Sequence, residues 1–343
     1  MVPVLVTGGA GFVGSHTCKA LAAAGFLPVV YDDLSNGSAA AVRWGPLVVG
    51  DILDGARLRA ALASWRPAAV MHFAAFIEAG ESVRRPLDFY RNNVAGAVAV
   101  AEAMVASGVG HLVFSSTAAV YGEPRQVPIP ERHLLRPTSP YGRSKLMVEE
   151  ILRDAVAAHG LQLAVLRYFN AAGADPEGEL GEGHDPETHL VPLAVRTALG
   201  LRGPLVLYGT DYPTPDGTCV RDYVHVSDLA AAHVLILRRL LLEDGRDPGA
   251  VPTYNVGTGR GHSVREVVAT VAAVTGRRVA VREAPRRPGD PAVLVAAADR
   301  LRDDLGWRPQ WPALVDQVRH CLQWTAGRAA VALPAAVSDG RAP

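Results

Sequence analysis

Lysine is almost absent from this chain. Only Lys19 and Lys145 occur among 343 residues, although Lys and Arg together number 34. Arginine serves nearly everywhere a cation is wanted, so Lys145 marks a place where it does not serve. Cysteine is sparse too: Cys18, Cys219 and Cys321 lie far apart, with no metal or redox spacing. That excludes a disulfide scaffold and points to a cytoplasmic, reducing location. Net charge is missing, since 34 basic residues meet 34 acidic ones. No global field then favours nucleic acid or an anionic membrane. An anionic ligand must be held by local arginines and helix N-termini. No apolar run is long enough to span a bilayer; the nearest, 95–106, is interrupted by Glu102. The first residues run straight into a strand pattern, which leaves no room for a signal peptide. The histidines show no ligand spacing. His184 and His189 fall in an expected loop and read as loop residues, and no metal is expected.

What is present is a globular composition, 49% hydrophobic and 20% charged, in a chain long enough for two domains. Buried-strand patterns fall at 2–6, 29–31, 47–49, 70–73, 111–115 and 163–168. Helical patterns at 13–24, 56–65, 90–107 and 139–159 alternate with them. This βαβ succession implies an α/β fold, a Rossmann-type doubly wound parallel sheet over residues 1–169. After Asn170 the chain turns rich in Gly, Pro and acids, a loop by composition. Residues 170–326 read as a smaller α/β substrate domain, with 222–257 expected to pack back onto the first. Residues 327–343 read as a frayed tail.

Three features carry chemistry. Gly8, Gly11 and Gly14 follow the first strand and open the first helix, where backbone N–H groups can approach a pyrophosphate. Asp32 and Asp33 end the second strand; an acid there accepts from a ribose 2′-hydroxyl and repels a 2′-phosphate, favouring NAD over NADP. Asp51-Ile52 follows the third strand, where an adenine would sit, and the small Ala74 and Ala75 after Phe73 leave room for a dinucleotide. Second, Ser115-Ser116-Thr117 ends the fifth strand, the edge at which such sheets bind ligands. Third, Tyr141 and Lys145 stand four residues apart, on one face of a helix. The spacing predicts that the ammonium lowers the phenol pKa from its ordinary value of roughly 10.

With these motifs the chain resembles the extended short-chain dehydrogenase/reductases, most closely their UDP-glucose 4-epimerase branch. The resemblance runs from Val4 to about Trp324. It rests on Val6-Thr7-Gly8-Gly9-Ala10-Gly11, His72-Phe73-Ala74-Ala75, Phe114-Ser115-Ser116-Thr117 and Ser139-Pro140-Tyr141-Gly142-Arg143-Ser144-Lys145. Leu166-Arg167-Tyr168-Phe169-Asn170, Val220-Arg221-Asp222-Tyr223 and Arg286-Arg287-Pro288-Gly289-Asp290 complete it. It implies an isomerase with retained NAD, interconverting UDP-glucose and UDP-galactose by transient oxidation at sugar C4. Tyr141 would be the base, Thr117 the proton relay, and Lys145 the holder of the nicotinamide ribose. Phe12, Val13, Asn36, Asn93, Ser115 and Tyr168 would join the cofactor contacts. Asn170, His189, Leu190, Tyr208, Arg221, Arg287, Asp290 and Leu294 would hold the UDP-sugar. Homodimerisation is also implied, through helices 90–107 and 139–159.

Some positions depart from that pattern. Thr117 stands where many relatives carry serine, and Ile77 where some carry a lysine. Leu294 stands where some glucose-only relatives place a tyrosine, which implies room for an N-acetylated sugar. A 4,6-dehydratase is disfavoured because Ala118 and Ala119 replace the acids it needs. Epimerisation of UDP-pentoses stays compatible with the motifs. A non-catalytic NAD-binding regulator would keep the same fold, but retention of Thr117, Tyr141 and Lys145 together argues against it.

Overall fold

Alternation of apolar side chains decides how the first strand sits. In β1 (Val2–Thr7), Val4 and Val6 face one layer of helices while Leu5 faces the other. A strand buried on both faces belongs inside a parallel sheet. The computed structural model, which describes residues 1–242, 251–287 and 289–332, shows such a sheet. After β1 come β2 (Phe26–Asp32), β3 (Leu47–Val49), β4 (Ala69–His72), β5 (His111–Thr117) and β6 (Gln162–Tyr168). The short strands β7 (Asn170–Ala172), β8 (Leu205–Tyr208) and β9 (Val220–His225) follow, then β10 (Thr253–Val256). Seven of these form one parallel sheet in the order β10-β6-β5-β4-β1-β2-β3. The order reverses direction at β1, which opens a crevice beyond the carboxyl ends of β1 and β4.

Helices cover both faces. Phe12–Ala23 and Val226–Leu242 pack on one side around Val6, Val30 and Leu166; Gly55–Trp65, Gly96–Ser107 and Pro140–His159 pack on the other around Leu5, Phe114 and Val165. The helix Val226–Leu242 and β10 thus serve the large sheet, whereas β9 belongs to a small sheet with β7, β11 (Gly261–Ser263) and β13 (Val293–Leu294). Strand β8 pairs with β12 (Val281–Ala284). A separate cluster under this second unit joins Val191, Val195, Tyr223, Val271 and Val318.

Two expected elements differ. The helix expected over 90–107 is π-helical over Tyr90–Ala95 and α-helical over Gly96–Ser107. The wider turn carries Asn93 inward, where it is buried. The tail expected from Gly327 begins as a continuation of the helix Leu314–Ala332, and 333–343 lie outside the described residues.

Four buried histidines sit under this framework. His16 bonds to the Phe12 carbonyl, His72 to the Thr7 hydroxyl at 2.7 Å, His225 to His320 at 2.9 Å, and His233 to the Leu229 carbonyl. Burial pushes their pKa down, to about 4 for His16 and His233 and about 3 for His72 and His225. The unfolded chain takes up these protons near pH 6.5. Their contribution to stability is therefore whole above that pH and is lost as pH falls toward the folded values. Each costs up to about 1.4 kcal/mol per pH unit in that window. Denaturant midpoints measured from pH 7 to pH 4 should drop steeply below 6.5; a flat profile would show that these histidines become protonated without unfolding.

Candidate active site

The glycine-rich turn forms because its backbone permits nothing larger. Gly8 has φ +72°, and a Cβ there would lie 2.5 Å from the Ala74 amide nitrogen. A Cβ on Gly14 would strike the Gly8 carbonyl. The turn delivers the chain to Gly11, which caps the helix Phe12–Ala23 with no side-chain hydrogen bond and no acid in the first turn. Its first N–H groups and positive dipole end therefore face the cavity that opens there.

That cavity, about 770 Å³, lies along the carboxyl edge of the sheet. Gly8, Gly11, Phe12, Val13, Gly14, Asp32, Asp33, Asn36, Ile52, Phe73, Ala74 and Ala75 line one end. Thr117, Tyr141, Tyr168, Asn170 and His189 line it farther along. Asp32 is oriented by two amides, accepting from Ala10 N and Leu34 N at 2.9 Å each.

Tyr141 and Lys145 are set by a capped helix. Ser139 accepts from Gly142 N at 3.1 Å, Pro140 opens the first turn, and Gly160 closes the helix with φ 69°. Thr117 ends β5 opposite, and its hydroxyl favours ionisation of the Tyr141 phenol through a hydrogen bond. Lys145 is buried; its Nζ donates to the Ser115 carbonyl at 2.8 Å and lies 5.0 Å from the Phe114 ring centre. Ser115 Oγ donates to Tyr168 Oη at 2.9 Å.

The electrostatics correct the sequence-based expectation. Burial pushes the Tyr141 phenol well above its ordinary value, with Tyr168 adding to the rise. Burial likewise pulls Lys145 down to about 7, against the pull of Glu149. The four-residue spacing is real, but in a desolvated site the cost of charge falls on both partners, and Lys145 alone does not produce a phenolate.

A second constellation lies apart from these walls. Arg287 Nε donates to Asp290 at 2.9 Å, Arg221 lies 3.8 Å from the same carboxylate, and the Arg287 guanidinium stands 4.9 Å from the Tyr208 ring centre. Leu190 opens the helix Leu190–Ala198 and packs into the core beneath it. Leu294 packs with Phe169 and Ala118, one layer behind the cavity.

Four expected cofactor contacts do not line the cavity: Ser115 and Lys145 lie behind it, and Asn93 and Asp51 turn elsewhere. Asn93 spends its amide on both backbone groups of Phe76, at 2.8 and 3.0 Å, and on Ser144 at 3.1 Å. The Asp51 carboxylate turns outward to accept from Leu53 N. Conversely, the loop before the helix Leu190–Ala198 supplies walls that sequence spacing missed. Glu182 and His184 line the cavity beside the expected His189, and Glu187 joins them behind it. The Glu182 and Glu187 carboxylates outweigh burial and raise His189 to about 9, and the Glu182 hydrogen bond raises His184.

Comparison with known proteins accords with this geometry. The NAD dependent epimerase/dehydratase family matches residues 4–257. The chain belongs to that family. It is 51% identical to the UDP-glucose 4-epimerase of Rhizobium leguminosarum bv. trifolii over 323 residues, 94% of this chain and 97% of that protein. The UDP-glucose 4-epimerase of Brucella ovis, solved in complex with NAD, superposes with a TM-score of 0.89 at 48% identity, covering 94% of this chain and 98% of that one. The enzyme of Bifidobacterium longum, solved with NAD+ and UDP, gives a TM-score of 0.90 at 36% identity over 96% and 99%.

In this epimerase-family chain the helix that carries Tyr141 and Lys145 is held to the sheet by a buried ion pair. Glu149, one turn past Lys145, accepts from Arg167 at 2.9 and 2.6 Å and from Ser116 Oγ at 2.6 Å. Removing one partner of such a pair strands the other charge. Glu149→Ala should cost about 3–5 kcal/mol by urea unfolding. A loss under about 1 kcal/mol would show that Arg167 relaxes to solvent or to other acceptors.

Proposed function

We propose that the protein interconverts UDP-glucose and UDP-galactose, with NAD retained through turnover. The observation that carries this reading is that Thr117 and Tyr141 line the same cavity as an uncapped helix N-terminus. The residues fit NAD. The open N–H groups at Phe12 and Val13 suit a pyrophosphate, while Gly11 N donates to the Gly8 carbonyl at 3.2 Å and, with Gly8 and Gly14, keeps the turn close. Asp32, Asp33 and Asn36 suit the adenine ribose, and Ile52 the adenine. Phe73, Ala74, Ala75, Ser115, Lys145 and Tyr168 would surround the nicotinamide end. Bound NAD supplies a hydride acceptor that later returns the hydride to the opposite face of the sugar.

The chain's own groups move the proton. Once ionised, Tyr141 Oη takes the proton of the sugar 4-hydroxyl and gives it back after the 4-keto sugar has turned, with Thr117 orienting both oxygens. Arg221 and Arg287 clamp the diphosphate; their guanidinium planes match phosphate oxygens. Tyr208, Asp290 and Leu190 border the uracil and its ribose, and Asn170 and His189 reach the phosphate or sugar. UDP is then held firmly while the hexose stays free to rotate.

Purified protein given UDP-galactose without added NAD should form UDP-glucose, read by chromatography, with no net NADH. Tyr141→Phe should keep its fold and lose roughly 10²–10⁴-fold in kcat. No product from wild type, even with NAD supplied, would overturn the reading. Leu294 packs behind Phe169 and does not enter the cavity, so UDP-N-acetylgalactosamine should also turn over; complete inactivity on it would confine the enzyme to plain hexoses.

We also propose that the protein is a cytoplasmic homodimer. The three cysteines are buried and unpaired, and no described helix is long and apolar enough to cross a membrane. Val83, Leu87, Val105 and Met147 are exposed on helices that pack side by side, at 49%, 73%, 38% and 44%. Light scattering should give twice the chain mass, and Leu87→Glu with Met147→Glu should halve it. A wild-type monomer would remove the proposal.

A further inference from the structure

The loop between β7 and the helix Leu190–Ala198 folds back on itself so that four ligating side chains converge. One donor atom from each of Glu182, His184, Glu187 and His189 lies within 4.8 Å of all the others. Glu182 stands 2.8 Å from His184 Nδ1 and 3.3 Å from His189 Nδ1. Glu187 stands 3.2 Å from His189 Nδ1 and 3.8 Å from His184 Nε2. A tetrahedral zinc site with bonds of about 2.0–2.2 Å places its ligand atoms roughly 3.3–3.6 Å apart. From His189 Nδ1 the two carboxylates, at 3.2 and 3.3 Å, match that edge; His184 meets Glu182 through Nδ1 and Glu187 through Nε2, so the ion takes one of these two nitrogens.

We propose that Glu182, His184, Glu187 and His189 bind one divalent transition-metal ion, with zinc as the match to the donor set. Two imidazoles and two carboxylates are a borderline nitrogen and oxygen set, and two carboxylates neutralise a dication. Both carboxylates are sheltered, with side-chain exposures of 5% for Glu182 and 4% for Glu187. Four protein ligands leave no open position, so the ion is structural, and with His189 Nδ1 committed to it the Nε2 of that ring stays free for the phosphate or sugar. It fastens the cavity wall to the helix that His189 caps.

The contrast with the neighbouring acidic group is informative. Asp175, Glu177 and Glu179 also converge, but the Lys19 ammonium sits among them at 2.6–2.9 Å. That cluster already holds its cation. The His/Glu cluster has no Lys or Arg among the described ion pairs that it makes.

The test uses the holoenzyme, freed of adventitious metal by a chelator and titrated with Co2+ alone. One equivalent should bind with the intense ligand-field absorption of tetrahedral cobalt, and Zn2+ should abolish the signal by displacement. Glu182→Gln should weaken cobalt binding more than tenfold while circular dichroism and bound NAD persist. Because Glu182 is buried and its loss can disturb the loop, His184→Asn provides a second variant with the same expected loss. No cobalt signal would show that the four groups are merely ion-paired and would overturn the proposal. A signal that survives both variants would place the metal elsewhere and overturn it equally. Neither result bears on epimerase turnover, which is read separately.

Discussion

The carboxylate of Glu149 is fully buried, and the geometry of the active edge depends on where it sits. It takes both forks of Arg167 from β6, the hydroxyl of Ser116 from β5, and an arm of Arg153 from its own helix. Arg167 continues to the Tyr121 hydroxyl at 3.2 Å, and Tyr121 donates to Asn255 on β10 at 2.6 Å. One connected network therefore spans three adjacent strands and the helix Pro140–His159. Ser116 lies between the residue whose carbonyl holds Lys145 and the residue whose hydroxyl faces Tyr141. A helix displaced by a fraction of a turn would break all of these bonds together. Buried ion pairs add little net stability compared with apolar packing, but they penalise a wrong register severely. Here that penalty is what keeps phenol, hydroxyl and ammonium in one arrangement.

The same burial explains why the pair is not self-activating. A phenol and an amine on one helix face form an activating couple in water-like surroundings, where the Coulomb attraction is not opposed. In this site each charge loses its hydration: burial holds Tyr141 protonated, with Tyr168 adding to the rise, and burial pulls Lys145 to about 7 against Glu149. The site stores its reactivity as geometry. Activation requires positive charge brought close to the phenol, which suits chemistry in which the oxidised cofactor and the sugar must be present together.

Much of this was legible in the sequence because it rests on local periodicity or steric necessity. Apolar runs such as 2–6 and 163–168 cannot be satisfied except between two layers, so the parallel sheet followed. Gly8 and Gly14 are demanded by backbone contacts, and Tyr141 and Lys145 by helix spacing. The rest depends on where loops go. Asp51 and Ile52 are neighbours, yet only the isoleucine faces the cavity, since the aspartate closes its own turn on Leu53. Asn93 looked like a cofactor contact, but a π-helical turn points it at Phe76 and Ser144. The spacing of 182, 184, 187 and 189 matches neither a helix face nor a strand face, so no periodic rule brings His184 and His189 together. A loop that reverses on itself does.

The scarcity of lysine also gains a second meaning. The sequence singled out Lys145, but the structure gives Lys19 an equally exclusive place. Its ammonium meets Asp175, Glu177 and Glu179, three carboxylates that approach from different directions. A planar guanidinium directs its donors in one plane and matches paired oxygens, whereas an ammonium directs three donors around a cone. Arginine, abundant everywhere else, cannot make this junction. Lys19 stands on the helix whose N-terminus faces the cavity, and the loop it grips runs on through Leu180, Gly181 and Glu182 along the cavity wall. Arg43 adds a bond to the Glu179 carbonyl at 3.2 Å, and Trp324 donates to the Glu182 carbonyl at 2.9 Å. The wall is thus tied from the first helix, from the last helix and through its own His/Glu cluster. A wall fastened at several points opens only by breaking several bonds at once, which suits a dinucleotide that has no need to leave between turnovers.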